Sequence, residues 1–196
     1  SEAPSSIPSQ IPTFIGSQSP SISFVPSGAP TLAPTYQCSL SPIERAQQIG
    51  LILLPLSGLE VFGIAESPQS LAYNWIVDQD TLLLCPEDPR LTERYILAVL
   101  SFAIASENWT RCSADNNTVC DDALYLSGSD SCKWDGIGWN PDGNVTAIRL
   151  DGLSLEGSLP AEIGFLKHLV EIDMDSNGLT GSIPGSFGQL ESLEIL

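Results

Sequence analysis

Acid–base catalysis needs a histidine, or two carboxylates held close together, and this chain of 196 residues has one histidine, His168. A nucleophile and an orienting carboxylate would have to converge on it, and nothing around it in the sequence arranges that. His168 is therefore read as an exposed loop residue. The adjacent Asp121 and Asp122 lie in the polar loop SADNNTVCDDALYLSGSD at 113–130, where carboxylates are ordinarily solvated. With Asp115 they offer oxygen ligands to calcium, but the EF-hand spacing is absent. The five cysteines form no CxxC and no Cys/His pairing of the kind zinc requires. Trp109, Trp134 and Trp139 suit a sugar-stacking platform or core packing, and are read as packing. The expectation is no catalytic residue, no metal site and no cofactor.

The elements that position these residues show first as a repeated phrase. LEGSLPAEIGFL at 155–166 returns as LTGSIPGSFGQL at 179–190, a spacing of 24 residues with six of twelve positions identical. The register extends outward: Ile148, Ile172 and Leu196 fall 24 apart, as do Val145, Leu169 and Leu193, while Leu150 matches Met174. Apolar residues at fixed offsets and a short LxL-like core predict a short strand per copy, a turn at Asn or Gly, and an outer return to the next strand. One copy cannot bury its own apolar side; stacked copies bury a column in which each covered Leu or Ile contributes about 1.5–3 kcal/mol. Asn177 stands where the chain leaves a strand, and its amide can bond backbone groups left unpaired there. The matching position one copy earlier is Leu153. Gly157 and Gly181 are expected to permit backbone angles or close approach that a Cβ would forbid.

LVEIDMDSNGLTGSIPGSFGQL at 169–190 resembles the plant-type leucine-rich repeat, with Met174 in place of a leucine. The resemblance implies an α/β fold: the start of a solenoid of short parallel strands behind an α-helical, disulfide-containing N-terminal cap. In that family the cap carries a helix, a Trp and a CxWxGVxC element, and this chain has RLTERYILAVLSFAIAS at 90–106, Trp109 and CKWDGIGW at 132–139. Trp139 stands where the pattern has its second cysteine, so the short disulfide of that cap cannot form. The preferred pairs are Cys38 with Cys85 and Cys112 with Cys120, leaving Cys132 as the free thiol, although sequence alone leaves other pairings open.

Local signals fill in the cap. Ser41-Pro42-Ile43-Glu44 is a capping box that opens a helix to about Leu54. Ser67-Pro68 opens a second, through Trp75 and Val77, and Asp88-Pro89 a third. The third is apolar nearly all round between Tyr95 and Ala105, which predicts burial. Asn140-Pro141-Asp142-Gly143 reads as a hairpin turn between Ile137–Trp139 and the strand from Val145. No apolar run is long enough to span a bilayer, and Pro55 and Glu60 interrupt 50–65.

Three segments follow: a disordered Pro/Ser-rich stalk at 1–37, the cap at 38–144, and the repeats at 145–196, two complete and a third truncated. The stalk has seven Pro, nine Ser and one charged residue, Glu2. In front of a cap it departs from the usual receptor layout and is similar to stalked extracellular algal proteins with such repeats. The chain is expected to be a fragment of a longer solenoid, with Leu190, Leu193 and Leu196 on an open face and any membrane anchor outside it. The formal net charge of −17 makes nucleic acid an unsuitable partner. The cysteines and the sequons at Asn108, Asn116 and Asn144 favour an extracellular or cell-surface location and glycosylation.

Alternation along the strands turns Ala147, Arg149 and Asp151 outward, and likewise Glu171, Asp173 and Asp175 one copy later. Arg149 and Asp173 become neighbours in one row, either as a surface ion pair or as the start of a ligand-binding strip. The functional expectation is a non-enzymatic recognition module binding a protein, peptide or glycan on this concave face. The alternative is a structural wall or matrix glycoprotein with an acidic surface.

Overall fold

The computed structural model describes residues 38–104 and 125–196, all within one compact unit. Trp109, Cys112, Cys120, Asn108, Asn116, Asp115, Asp121, Asp122 and the 1–37 segment lie outside the described residues.

The cap begins with α1 (Pro42–Ser57), opened by the capping box: the Glu44 N–H donates to Ser41 Oγ at 3.3 Å while the Ser41 N–H donates to Glu44 Oε2 at 3.0 Å. The helix runs past Pro55 to Ser57, because a proline in the last turn costs only one hydrogen bond. A short helix α2 (Leu59–Phe62), not expected from the sequence, follows. Ser67 caps α3 (Pro68–Asn74) by accepting the Ser70 N–H at 3.1 Å, and a wide turn at Trp75–Gln79 continues it. Arg45, buried in α1, donates to the carbonyls of Ile76, Val77 and Leu84 at 3.1, 3.1 and 2.8 Å and so caps the end of that turn.

Helix α4 (Arg90–Ala103) is the centre of the cap, with every residue from Arg94 to Ser101 buried. Its one charged member there, Arg94, is paired with Asp80, and both side chains are fully buried. The guanidinium also lies 4.9 and 4.6 Å from the ring centres of Trp75 and Trp134 and donates to the carbonyls of Ser127 and Ser129. Trp134 packs against Trp75 and Tyr125 at centroid distances of 5.9 and 4.7 Å. Of the platform candidates, Trp134 is a core residue and Trp139 is half-buried and packed against the same core.

The sheet starts as the hairpin expected: β1 (Ile137–Trp139) pairs antiparallel with β2 (Val145–Arg149) across a turn in which Asn140 Oδ1 accepts the N–H groups of Asp142 and Asn144. Strand β2 then pairs in parallel with β4 (Glu171–Asp173) at the 24-residue register: Ala147 opposite Glu171, Ile148 opposite Ile172, Arg149 opposite Asp173. Glu171 bridges to Ile195 at the same offset, which lays the third copy alongside. On the opposite edge β3 (Glu156–Gly157) and β5 (Gly178–Leu179) form a second parallel pair. Gly157 has φ +103, and a Cβ there would fall 2.2 Å from the Ala103 carbonyl, so the end of α4 can approach only a glycine.

One apolar core runs from Ile49 and Leu53 through α4 into Ile148, Leu150, Leu155, Leu169 and Ile172. Leu190 is buried and Leu193 partly so, so of the three leucines expected on an open face only Leu196, 65% exposed, lies there. The outer turn at Gly185–Gln189 buries Phe187 beside Leu190 and closes that side of the column.

Candidate functional site

The outward strand positions of successive copies form the candidate surface, and backbone hydrogen bonds fix their spacing. Val170 N–H donates to Thr146 at 2.8 Å, Leu150 to Asp173 at 2.7 Å and Gly152 to Asp175 at 3.0 Å. With Ile148 and Ile172 turned into the column, Arg149, Asp151, Glu171, Asp173 and Asp175 share the opposite face. Ala147 does not reach solvent; it is 3% exposed, and Gly138 of β1 is paired opposite it so closely that an added Cβ there would lie 2.9 Å from the Ala147 Cβ.

The ion pair on this face differs from the one expected. Arg149 Nη2 pairs with Glu171 Oε2 and not with Asp173, which lies directly opposite it in the register. The hydrogen bond to Arg149 holds the Glu171 carboxyl below its usual range, and the bond to Glu171 raises the Arg149 guanidinium. Asp173 Oδ1 accepts the Asp175 N–H at 3.3 Å, and Asp151 and Asp175 are exposed. One cation therefore stands among four carboxylates.

Asn177 anchors the exit from this face. Its Oδ1 accepts the N–H groups of Leu153 and Leu155, both at 3.0 Å, and its Nδ2 donates to the carbonyls of Leu150, Met174 and Asp175 at 2.7, 2.9 and 3.1 Å. The side chain thus joins its own copy to the preceding one, where Leu153 is buried instead. Glu93 on α4 links cap and strip in the same way, accepting the Val145 N–H at 2.8 Å.

His168 is exposed, and among the described residues no group of His, Cys, Asp or Glu is placed to hold a metal. Cys38 and Cys85, expected as a disulfide, are brought together but stand as separate thiols. Burial, with Cys38 beside it, pushes the Cys85 thiol up to about 12. Cys132 is an exposed free thiol. Asn144 is half-buried at the hairpin turn, its Nδ2 3.4 Å from Asn140 Oδ1.

No protein-family model matches the chain. It is 37% identical over 73 residues to the LRR receptor-like serine/threonine-protein kinase RGI3 of Arabidopsis thaliana and 41% identical over 71 residues to the receptor-like kinase RGI4 of the same plant. The repeats are similar to those of plant leucine-rich repeat receptor-like kinases. A longer match, 36% identical over 127 residues and 58% of this chain, is to the probable LRR receptor-like kinase At1g53430. The chain spans 7%, 6% and 11% of the lengths of these three relatives. Among solved structures it is similar to the leucine-rich repeat ectodomain of GASSHO1/SCHENGEN3 from Arabidopsis thaliana in complex with CASPARIAN STRIP INTEGRITY FACTOR 2, at 32% identity and TM-score 0.36, over 39% of this chain and 10% of that one. It is also similar to the PEPR1–AtPEP1 structure, at 24% identity and TM-score 0.40, over 52% and 13%. Among the described residues no helix is long and apolar enough to cross a membrane.

Proposed function

We propose that this chain is part of an extracellular, non-enzymatic recognition module whose partner, a protein, peptide or glycan, binds on the concave face of the leucine-rich repeats. The observation that carries the reading is the row Arg149, Glu171, Asp173, with Asp151 and Asp175 flanking it. Backbone pairing holds these side chains on a solvent-facing sheet surface, and only Arg149 and Glu171 neutralise each other by a direct salt bridge. Such a surface favours a partner that presents cationic groups. The receptor-like kinases similar to this chain support a cell-surface location, as do the sequons. We further propose that Cys38 and Cys85 close to a disulfide in an oxidising compartment, since the fold already sets the two thiols in contact.

The test titrates the full chain with an oligolysine peptide and follows backbone amide shifts. The reading expects shifts concentrated at Arg149, Asp151 and 171–175, and their loss in the triple variant Glu171→Gln, Asp173→Asn, Asp175→Asn. Shifts spread evenly over every acidic surface, or unchanged in the variant, remove it.

A further inference from the structure

Helix α1 gives only a narrow stripe, Arg45, Ile49 and Leu53, to the core. Of its other apolar residues Leu56 packs partly against the core, whereas Leu51 is 72% exposed. Across from it stand Leu59, 73% exposed, and the half-buried Phe62 and Tyr73. Leu51, Leu54, Leu59, Phe62 and Tyr73 line an open groove of about 660 Å³ between α1, α2 and α3, far from the concave strip in sequence and on different elements.

The groove has a defined shape. Gly50 forms part of it, and a Cβ there would already touch the Tyr73 ring at 3.6 Å. Phe62 meets Tyr73 edge to face, with centroids 5.6 Å apart. Two of its polar groups are already used: the Tyr73 hydroxyl donates to the Ala46 carbonyl at 2.9 Å, and the Ser70 hydroxyl donates to the carbonyls of Val61 and Phe62 at 3.1 and 3.2 Å, while the exposed Gln47 and Asn74 complete the lining. The wall is chiefly aliphatic and aromatic, with the Gln47 and Asn74 amides at hand for a peptide's polar flank, so the occupant fills the groove mainly with apolar side chains. A contiguous apolar surface of this kind, rimmed by polar residues, marks an interaction site.

The rim names the partner's charge. Residues 46–89 contain no Lys or Arg and six acidic residues. Of these, Glu60 and Glu66 are exposed and adjoin the lining residues Leu59 and Ala65, and the exposed Asp78 lies close enough to Tyr73 to act with burial in raising its phenol. The one cation on α1, Arg45, is buried and committed to three carbonyls. An anionic lipid surface is repelled by such a rim, and a second copy would bring the same acidic rim against itself. We infer that the groove between α1, α2 and α3 receives an amphipathic helical segment of a partner protein, with apolar anchors on one face and Lys or Arg on its flanks.

This site is independent of the concave strip and is tested separately on the full chain. The probe is a synthetic helical peptide with leucines at i, i+3, i+4 and i+7 and lysines on its flanks, followed by fluorescence anisotropy. Binding is expected to weaken about tenfold or more in Leu51→Glu and in Leu59→Glu, both at exposed positions, with circular dichroism unchanged. It is expected to weaken similarly when the peptide lysines become glutamates, and to be unaffected by Glu171→Gln, Asp173→Asn, Asp175→Asn. Equal binding of the glutamate peptide, or full binding by the two leucine variants, overturns the inference. Sedimentation of the chain alone as a dimer that Leu51→Glu dissolves also overturns it, by assigning the groove to a second copy. Leu51-dependent binding to anionic vesicles, with none to the peptide, overturns it in favour of a lipid surface.

Discussion

Arg149 reaches diagonally to Glu171, while Asp173, its direct opposite in the parallel register, is left with a backbone contact to Asp175. The pair ties adjacent copies together across the candidate binding face, and among the described residues Asp173 and Asp175 have no salt bridge. Because Glu171 is held below its ordinary value of 4.5 by Arg149, its contribution is present above that value and is lost as pH falls through the lowered one. In Arg149→Met the Glu171 carboxyl is expected to titrate upward toward the ordinary value. Carboxyl-detected NMR titration checks this, and an unchanged midpoint would mean that the pair does not persist in solution.

Asn177 ties together two copies through five hydrogen bonds. Asn177→Ala leaves the N–H groups of Leu153 and Leu155 without their acceptor and is expected to cost about 2–4 kcal/mol in urea unfolding. Asn177→Asp keeps the acceptor but sets a carboxylate oxygen against the carbonyls of Leu150, Met174 and Asp175, so its cost should be largest at neutral pH and fall as the pH is lowered and the carboxyl is protonated. A cost for Asn177→Ala below about 0.5 kcal/mol would show that these contacts contribute nothing.

These two residues also mark how far the sequence could be read. The 24-residue register, the Asn140–Gly143 turn and the Ser41 and Ser67 caps were legible because each depends on offsets within one copy or one turn. Arg149 was placed on the right face but with the wrong partner, since strand register fixes Cα positions and a long side chain can choose between two carboxylates. Ala147 is 3% exposed where alternation alone turns it to solvent, because alternation assigns a face and not what covers it. The buried roles of Arg45, Asp80 and Arg94 join residues distant in sequence, and no local pattern announces such contacts. The groove has a sequence signal in the apolar run at 50–65, which is too short and too interrupted to span a membrane and whose apolar residues are more than the core takes up.

The buried pair Arg94–Asp80 makes a sharper stability prediction. Arg94→Met strands an uncompensated carboxylate in the core and is expected to cost about 3–5 kcal/mol. Adding Asp80→Asn should recover a large part of that loss. Urea unfolding of both single variants and the double closes the cycle, and strictly additive costs would deny the coupling.

The cysteines separate by exposure and by pKa. In reduced protein near pH 8 an alkylating reagent should modify exposed Cys132 well before Cys85, whose thiol is buried and pushed up to about 12. After oxidation with oxidised glutathione, peptide mapping should find Cys38 joined to Cys85. Cys85 joined to any other cysteine contradicts the proposed pair.

Everything assigned to the concave face depends on neighbouring copies pairing at one offset. An isotope-edited NOE experiment on the full chain tests this directly. It should show cross-strand backbone contacts linking Ala147 to Glu171, Ile148 to Ile172 and Arg149 to Asp173, with the Ile148 and Ile172 side chains in contact with a common set of apolar neighbours. Contacts at any other offset, or Ile148 and Ile172 in separate cores, would contradict the strip and the function drawn from it.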